Sequence, residues 1–350
     1  MRFLRLLLLP LLALSLAATA IAREQAPIPL PGGGNVKIKL PPAKPSKPAK
    51  GKGKKKPKKP AKPKTNLVQL GIADEKATMF SDPRFGALGL KTARRSVAWD
   101  VFDYDWALQE VDDWLKAAQF VGVRPVITFA RSRVQSKLHV IPTRAQYLAM
   151  FKKFRARYPW VRDFVASNES NYSDPGFKRP ELAAKYYMDM RRACPTCKVA
   201  AATLLEVPGK EKYMAKWLKR FLKVAKPRPK YWAIHNYFSA NRFDTKGTKQ
   251  ILKLTKSGEI WVTEVGGLVK RRSNFAGKVK MKEGLTHAAQ VTRFIFDRML
   301  TLSPRIKRVY IFHWNAGGPL DSWDSGLIGP DGKARTSLNI LTAKLKARRR

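Results

Sequence analysis

The chain is short of three things, and each shortage closes off a class of function. Histidine is scarce: the four, at 139, 235, 287 and 313, show no metal-ligand spacing, so no metal centre is expected. No Gly-rich dinucleotide fingerprint follows the first apolar strand, which argues against an open nucleotide-binding sheet and leaves no organic cofactor expected. After residue 22 no run is long and apolar enough to span a bilayer, so no transmembrane span is expected once the leader is removed.

Acid is heavily outnumbered by base, with 25 Asp and Glu against 70 Lys and Arg, a formal charge of +45. Such a balance predicts attraction to polyanions: acidic polysaccharide, anionic envelope polymers, a membrane surface or nucleic acid. Charge alone does not choose among them, and a basic composition that serves solubility would look the same. The chain has no recognisable nucleic-acid-binding motif, so no specific nucleic-acid partner is expected.

The charge is unevenly spread. Arg2 and Arg5 precede an apolar stretch from Leu6 to Leu16, and Ala20-Ile21-Ala22 supplies small residues for cleavage, which reads as a signal peptide over residues 1–22. The stretch is short for a membrane anchor and contains Pro10, and no Cys sits near the cleavage point to accept a lipid. The chain is therefore expected to be secreted. Residues 23–65 are rich in Pro, Lys and Gly, with almost no large apolar residue after Leu40, so they cannot bury a core and read as a disordered, extended basic linker. The first 65 residues hold 16 Lys and Arg and one acid, which leaves the remainder at about +30.

From residue 66 to 346 the pattern changes to an apolar strand followed by an amphipathic helix, repeated. Eight strands are expected, at 66–72, 92–98, 124–129, 162–167, 198–204, 231–235, 259–263 and 308–313, with the clearest helices at 105–120, 143–158, 180–192, 211–224 and 282–301. Eight alternations in one domain of this length predict an α/β fold of the (β/α)8 TIM-barrel type; a monomer is expected, although the alternation itself does not decide the oligomeric state. The only cysteines form Cys194-Pro195-Thr196-Cys197, after a helix and before the fifth strand. A thioredoxin-like motif would open a helix, and a zinc site would need two more ligands. A local disulfide at the bottom of the barrel fits an exported protein.

Two glutamates stand at the ends of expected strands. Glu169 closes Phe164-Val165-Ala166-Ser167-Asn168-Glu169 and Glu264 closes Ile260-Trp261-Val262-Thr263-Glu264. In an α/β barrel such positions face the mouth where chemistry is done, and two carboxylates in one cleft are the minimal equipment for splitting a glycosidic bond. Other strand ends carry Arg94-Arg95, Trp99, His235-Asn236-Tyr237 and Phe312-His313-Trp314-Asn315.

With Asn168-Glu169 on strand four, His235-x-Tyr237 on strand six, Glu264 on strand seven and Trp314 on strand eight, the chain resembles clan A of the glycoside hydrolases, retaining barrel enzymes. The resemblance covers residues 66 to about 345. It implies Glu169 as general acid/base, Glu264 as nucleophile and Asn168 as a partner of the sugar 2-hydroxyl. It also implies an arginine beside the nucleophile, where a fixed cation favours a carboxylate. Strand alternation admits only one of Arg94 and Arg95 to the interior, and Arg95 is expected there. Tyr237 is expected to bond Glu264, His235 to touch the sugar or the acid/base, Trp314 to offer a flat face to a pyranose, and Trp99 to add a second wall. His139, after strand three, could reach the cleft, and Asp321, Trp323 and Asp324 could shape its subsites. Ser170 stands where many clan members have proline, which points away from the cellulase-like subfamilies.

The expectation is thus a secreted, retaining O-glycoside hydrolase acting on a β-linked poly- or oligosaccharide. Its basic linker would hold it to an anionic envelope polymer. The alternative is a non-catalytic carbohydrate-binding or envelope-associated barrel.

Overall fold

The computed structural model describes residues 68–172, 175–271, 281–318 and 321–349. The signal-peptide and linker expectations, on residues 1–65, lie outside them. Nine parallel strands form a nearly closed barrel, with helices between them. They are β1 (Gln69–Ala73), β2 (Thr92–Ala98), β3 (Arg124–Ala130), β4 (Asp163–Val165), β5 (Lys198–Ala200), β6 (Thr203–Leu205), β7 (Tyr231–His235), β8 (Glu259–Val265) and, after a two-residue β9 (Lys270–Arg271), β10 (Ile306–Phe312). β10 pairs with β1 in register, Gln69 opposite Arg308 and Ala73 opposite Phe312. β5 and β6 are two halves of one strand bent at Ala201-Ala202. The bend keeps its bonds: Ala201 N–H donates to Tyr231 C=O at 2.9 Å, and Ala233 N–H to Ala202 C=O at 3.1 Å. The architecture is a (β/α)8 barrel, as the alternation predicted.

The helices are α1 (Pro83–Leu88), α2 (Asp105–Phe120), α3 (Arg144–Arg157), α4 (Pro180–Ala193), α5 (Glu211–Val224), α6 (Tyr237–Asn241), α7 (Lys246–Thr255), α8 (Leu285–Phe294) and α9 (Thr336–Arg349). Those legible in the sequence bury an apolar stripe, such as Met214, Trp217, Leu218 and Phe221 along α5. α3 begins with a capping box, in which Thr143 Oγ1 accepts from Gln146 N–H and Gln146 Oε1 from Thr143 N–H. None of the helices of the described residues is long and apolar enough to cross a membrane.

Two apolar layers divide the side chains of each strand. Outward residues such as Ala93, Val97, Phe129, Phe164 and Ile234 pack under the helices. Inward ones, Ala73, Val126, Val165, Ala200, Ala233, Trp261 and Tyr310, fill the barrel. Gly71 is needed here, because a Cβ would come within 2.7 Å of the Tyr310 ring that crosses the interior. At the bottom face Cys194 and Cys197 are joined by a disulfide, with Cα atoms 5.4 Å apart.

Candidate active site

The upper end of the barrel opens into a cleft of about 670 Å3 whose lining includes Asn168, Glu169, Tyr237 and Glu264. Each reaches it for a local reason. After β4 the chain makes a tight turn: Asn168 N–H donates to Phe129 C=O at 2.9 Å and Ser170 N–H to Thr203 C=O at 3.0 Å. Between them Glu169 adopts a left-handed backbone, φ 40°. A non-glycine residue held there costs on the order of 1–3 kcal/mol, strain that concentrates at functional sites.

Glu264 faces the cleft because β8 is irregular. Trp261 points inward and Val262 outward, so strict alternation would turn Glu264 outward. The register with β7 slips between Ile234 and His235, pairing Ile234 with Val262 and His235 with Glu264, and Val265 is the next outward residue. The bulge re-aims the carboxylate.

One ring connects the two acids. His235, fully buried, sets Nδ1 2.9 Å from Glu169 Oε1 and Nε2 3.5 Å from Glu264 Oε1. Tyr237, the first residue of α6, donates its hydroxyl to Glu264 Oε2 at 2.9 Å. Burial and, after it, the Glu264 charge hold the Tyr237 phenol well above its usual range, so it remains a donor.

The cation is Arg94, and the expectation of Arg95 is corrected. Arg94, 1% exposed, pairs with Glu264 Oε1 and donates to Asn168 Oδ1 at 2.9 Å and Thr128 Oγ1 at 3.0 Å. Arg95 lies on the helix side, bonded to Glu75 C=O and 3.4 Å from Glu110 of α2. Alternation explains the choice: Ala93 and Val97 supply the outward apolar face, which leaves Arg94 and Ser96 inward.

Two aromatic expectations are also corrected. Trp314 is fully buried, packed edge-on to Phe85 of α1 with centroids 5.6 Å apart. Its indole N–H reaches Asp82 Oδ2 at 3.2 Å and its backbone N–H Asp74 Oδ2 at 2.8 Å, so two acids seat it away from the cleft. Trp99 is buried against a separate hollow of about 20 Å3 shared with Phe129 and Tyr147. The aromatic walls of the cleft are instead Phe312 and Trp323. Trp323 stands on β11 (Trp323–Asp324), which pairs with β9, and meets Tyr237 edge-on at 4.8 Å. Asp324 is taken by Arg335, two bonds of 2.8 Å each, and Asp321 bonds Gly318 N–H within its own loop. His139 is exposed and does not line the cleft.

Residues missed by sequence reasoning line the wall next to β3: Arg131, Ser132 and Arg133, with Glu75 beyond β1. Their signal was position, since each follows the C-terminal end of a barrel strand. Among the described residues no group of three or more His, Cys, Asp or Glu is arranged to hold a metal.

Residues 142–293, which include Glu169, His235 and Glu264, match a family model described as the glycosyl hydrolase catalytic core. No curated protein matches the chain. Solved structures with similar folds include a glycoside hydrolase family 10 endoxylanase retrieved from a sugarcane soil metagenome. It is 14% identical with a TM-score of 0.57, over 80% of this chain and 97% of its own. An endo-1,4-β-xylanase from Caldicellulosiruptor owensensis is 14% identical with a TM-score of 0.56, over 79% of this chain and 97% of its own. A family 39 glycoside hydrolase from Bacteroides cellulosilyticus is 14% identical with a TM-score of 0.51, over 80% of this chain and 63% of its own. At such identities the likeness is one of fold. A glycosyl hydrolase core matched to the segment that carries both glutamates, within a barrel of this fold, supports a glycosidase, and the chain is similar to the clan A TIM-barrel glycosidases.

Proposed function

We propose that the chain is a secreted retaining glycoside hydrolase that cleaves a β-linked poly- or oligosaccharide by double displacement. The observation that carries this is the linkage of Glu169 and Glu264 through one buried imidazole at the floor of the cleft, with Arg94 on Glu264. In the first step Glu264 attacks the anomeric carbon while Glu169 gives its proton to the departing glycosidic oxygen. The C–O bond to the leaving sugar breaks and a glycosyl ester on Glu264 forms. In the second step Glu169 takes a proton from water, whose oxygen attacks the same carbon and releases Glu264, so configuration is retained.

The surrounding groups serve these steps. Arg94 and Tyr237 hold the Glu264 carboxylate in place, Asn168 is oriented by Arg94 toward the sugar 2-hydroxyl, and Trp323 offers a face on which a pyranose can stack.

Sugar release from a panel of β-linked polysaccharides and aryl glycosides, with the product anomer followed by NMR, tests the reading. Native protein should release sugar with retention. Glu169→Gln should lose about 10²- to 10⁴-fold, and Glu264→Ala, which vacates the nucleophile's place, should be rescued by azide to give the glycosyl azide of the other anomer. Silence from native protein across the panel, with sugar binding intact, would favour the non-catalytic barrel.

Export by residues 1–22 and tethering by the lysine-rich residues 23–65 to an anionic envelope polymer complete the proposal. Deleting 23–65 should free the enzyme from envelopes without lowering turnover on soluble substrate. Unchanged envelope retention would sink the tether.

A further inference from the structure

The two sides of the cleft differ in charge. On the β1 side stands Glu75, whose carboxylate is half exposed and 3.9 Å from Arg94. On the β3 side the chain leaves the strand as Ala130-Arg131-Ser132-Arg133, all four lining the cleft. Ser132 is buried, and its hydroxyl accepts from Val134 N–H at 3.1 Å, which fixes the turn while both arginines remain exposed. Arg133 pairs with Glu110, but Arg95 lies 3.4 Å from the same carboxylate, so one acid is shared by two cations. Among the described residues no acid pairs with Arg131. The Arg133 guanidinium lies 4.9 Å over the ring of Trp106, which is 46% exposed at the start of α2.

We propose that the Arg131–Arg133 turn is an anion-binding subsite, and that the glycan cleaved between Glu169 and Glu264 is acidic, carrying uronate carboxylates or sulfate esters. This rests on the glycosidase reading above and names its substrate class. A guanidinium presents a planar fork of donors that matches a carboxylate or sulfate; Arg131 brings one to the cleft wall, and Arg133 beside it brings a second whose acid, Glu110, is shared with Arg95. Trp106 adds an apolar ring beside the charge, the pairing that suits a sugar with a hydrophobic face and an anionic edge. The excess of positive charge over the whole chain would draw such a polymer in, and this turn would select it at the site.

The test measures kcat/KM for the full chain and for Arg131→Gln/Arg133→Gln. The substrates are 4-nitrophenyl β-D-glucuronide and β-D-glucoside, which differ at C6 alone, then a polyuronide, its carboxyl-reduced form and a sulfated polysaccharide. Native protein should favour the charged member of a pair by about tenfold or more, and the double variant should lose that ratio, mainly through KM. Added salt should narrow it. The charged polymer cleaved faster identifies the anion. A native enzyme that cleaves neutral members as well as charged ones, or a double variant that keeps the ratio, overturns the anionic subsite and leaves the glycosidase standing. Release from the neutral panel but from none of these substrates does the same, whereas release from neither overturns both readings.

Discussion

Two arginines sit inside this barrel, each against a carboxylate, and they differ in what surrounds them. Arg308 of β10 pairs with Asp163 of β4 at 2.7 Å and lies 4.0 Å over the Trp261 ring. Arg124 closes in from outside at 3.3 Å. Arg94 of β2 pairs with Glu264 near the other end: Arg308 stands opposite Gln69 and Arg94 opposite Ala73, about 13 Å of strand apart. The lower pair is enclosed among aromatic and apolar side chains. The upper one borders a 670 Å3 cleft and is joined to a second carboxylate through His235. The same chemical pair therefore holds strands together where it is sealed and offers a poised carboxylate where it faces a void.

Breaking each pair separately tests that contrast, and these are the largest expected effects. Arg94→Gln should lower kcat by at least about 10²-fold while the cleft hydrates the released Glu264, so that melting changes little. Asp163→Asn leaves Arg308 buried and uncompensated. It should cost about 3–5 kcal/mol of stability, with kcat unchanged on the folded fraction. Thermal melts beside turnover at a permissive temperature read both. If Asp163→Asn lost activity beyond its unfolded fraction, or Arg94→Gln acted only through melting, the division between the two ends would fail.

The barrel was legible in the sequence because it is written in local periodicity. α2 and α5 begin and end at the expected residues, since their apolar stripes recur at helical spacing and stop where the next strand begins. The aim of individual side chains was less legible. Arg94 and Arg95 are adjacent, and the deciding signal was Ala93 and Val97 flanking Arg95 on the outward face. Glu264 depends on a bulge, which alternation cannot reveal. Trp314 is turned away from the cleft by Asp74 and Asp82, more than two hundred residues earlier in the chain, while Trp323 fills the aromatic wall from β11, a two-residue strand too short to show a periodicity. Strand position was readable from neighbours in sequence. Side-chain direction at the mouth was set by neighbours in space.

Glu206 sharpens the contrast, because it sits at the upper end, just past β6, yet is enclosed like the lower pair. It is 2% exposed and accepts from Ser239 N–H, Ser239 Oγ at 2.7 Å and Thr248 Oγ1 at 3.3 Å, tying α6 to α7. A Cβ on Gly247 would come within 2.5 Å of its Oε2, so glycine is required for the approach. Burial pushes its pKa up to about 7 from an ordinary 4.5. Between those values the unfolded chain has released the proton that the folded one keeps, so Glu206 draws stability down as pH rises from about 4.5, and the loss is complete above about 7. The interval corresponds to about 3 kcal/mol. In Glu206→Gln that fall is absent, so the variant should gain on the native protein by roughly this amount between pH 4.5 and 8, read from paired melting curves. Parallel curves would mean that water reaches Glu206. Proximity to the mouth, rather than enclosure, would then govern the carboxylates at this end of the barrel.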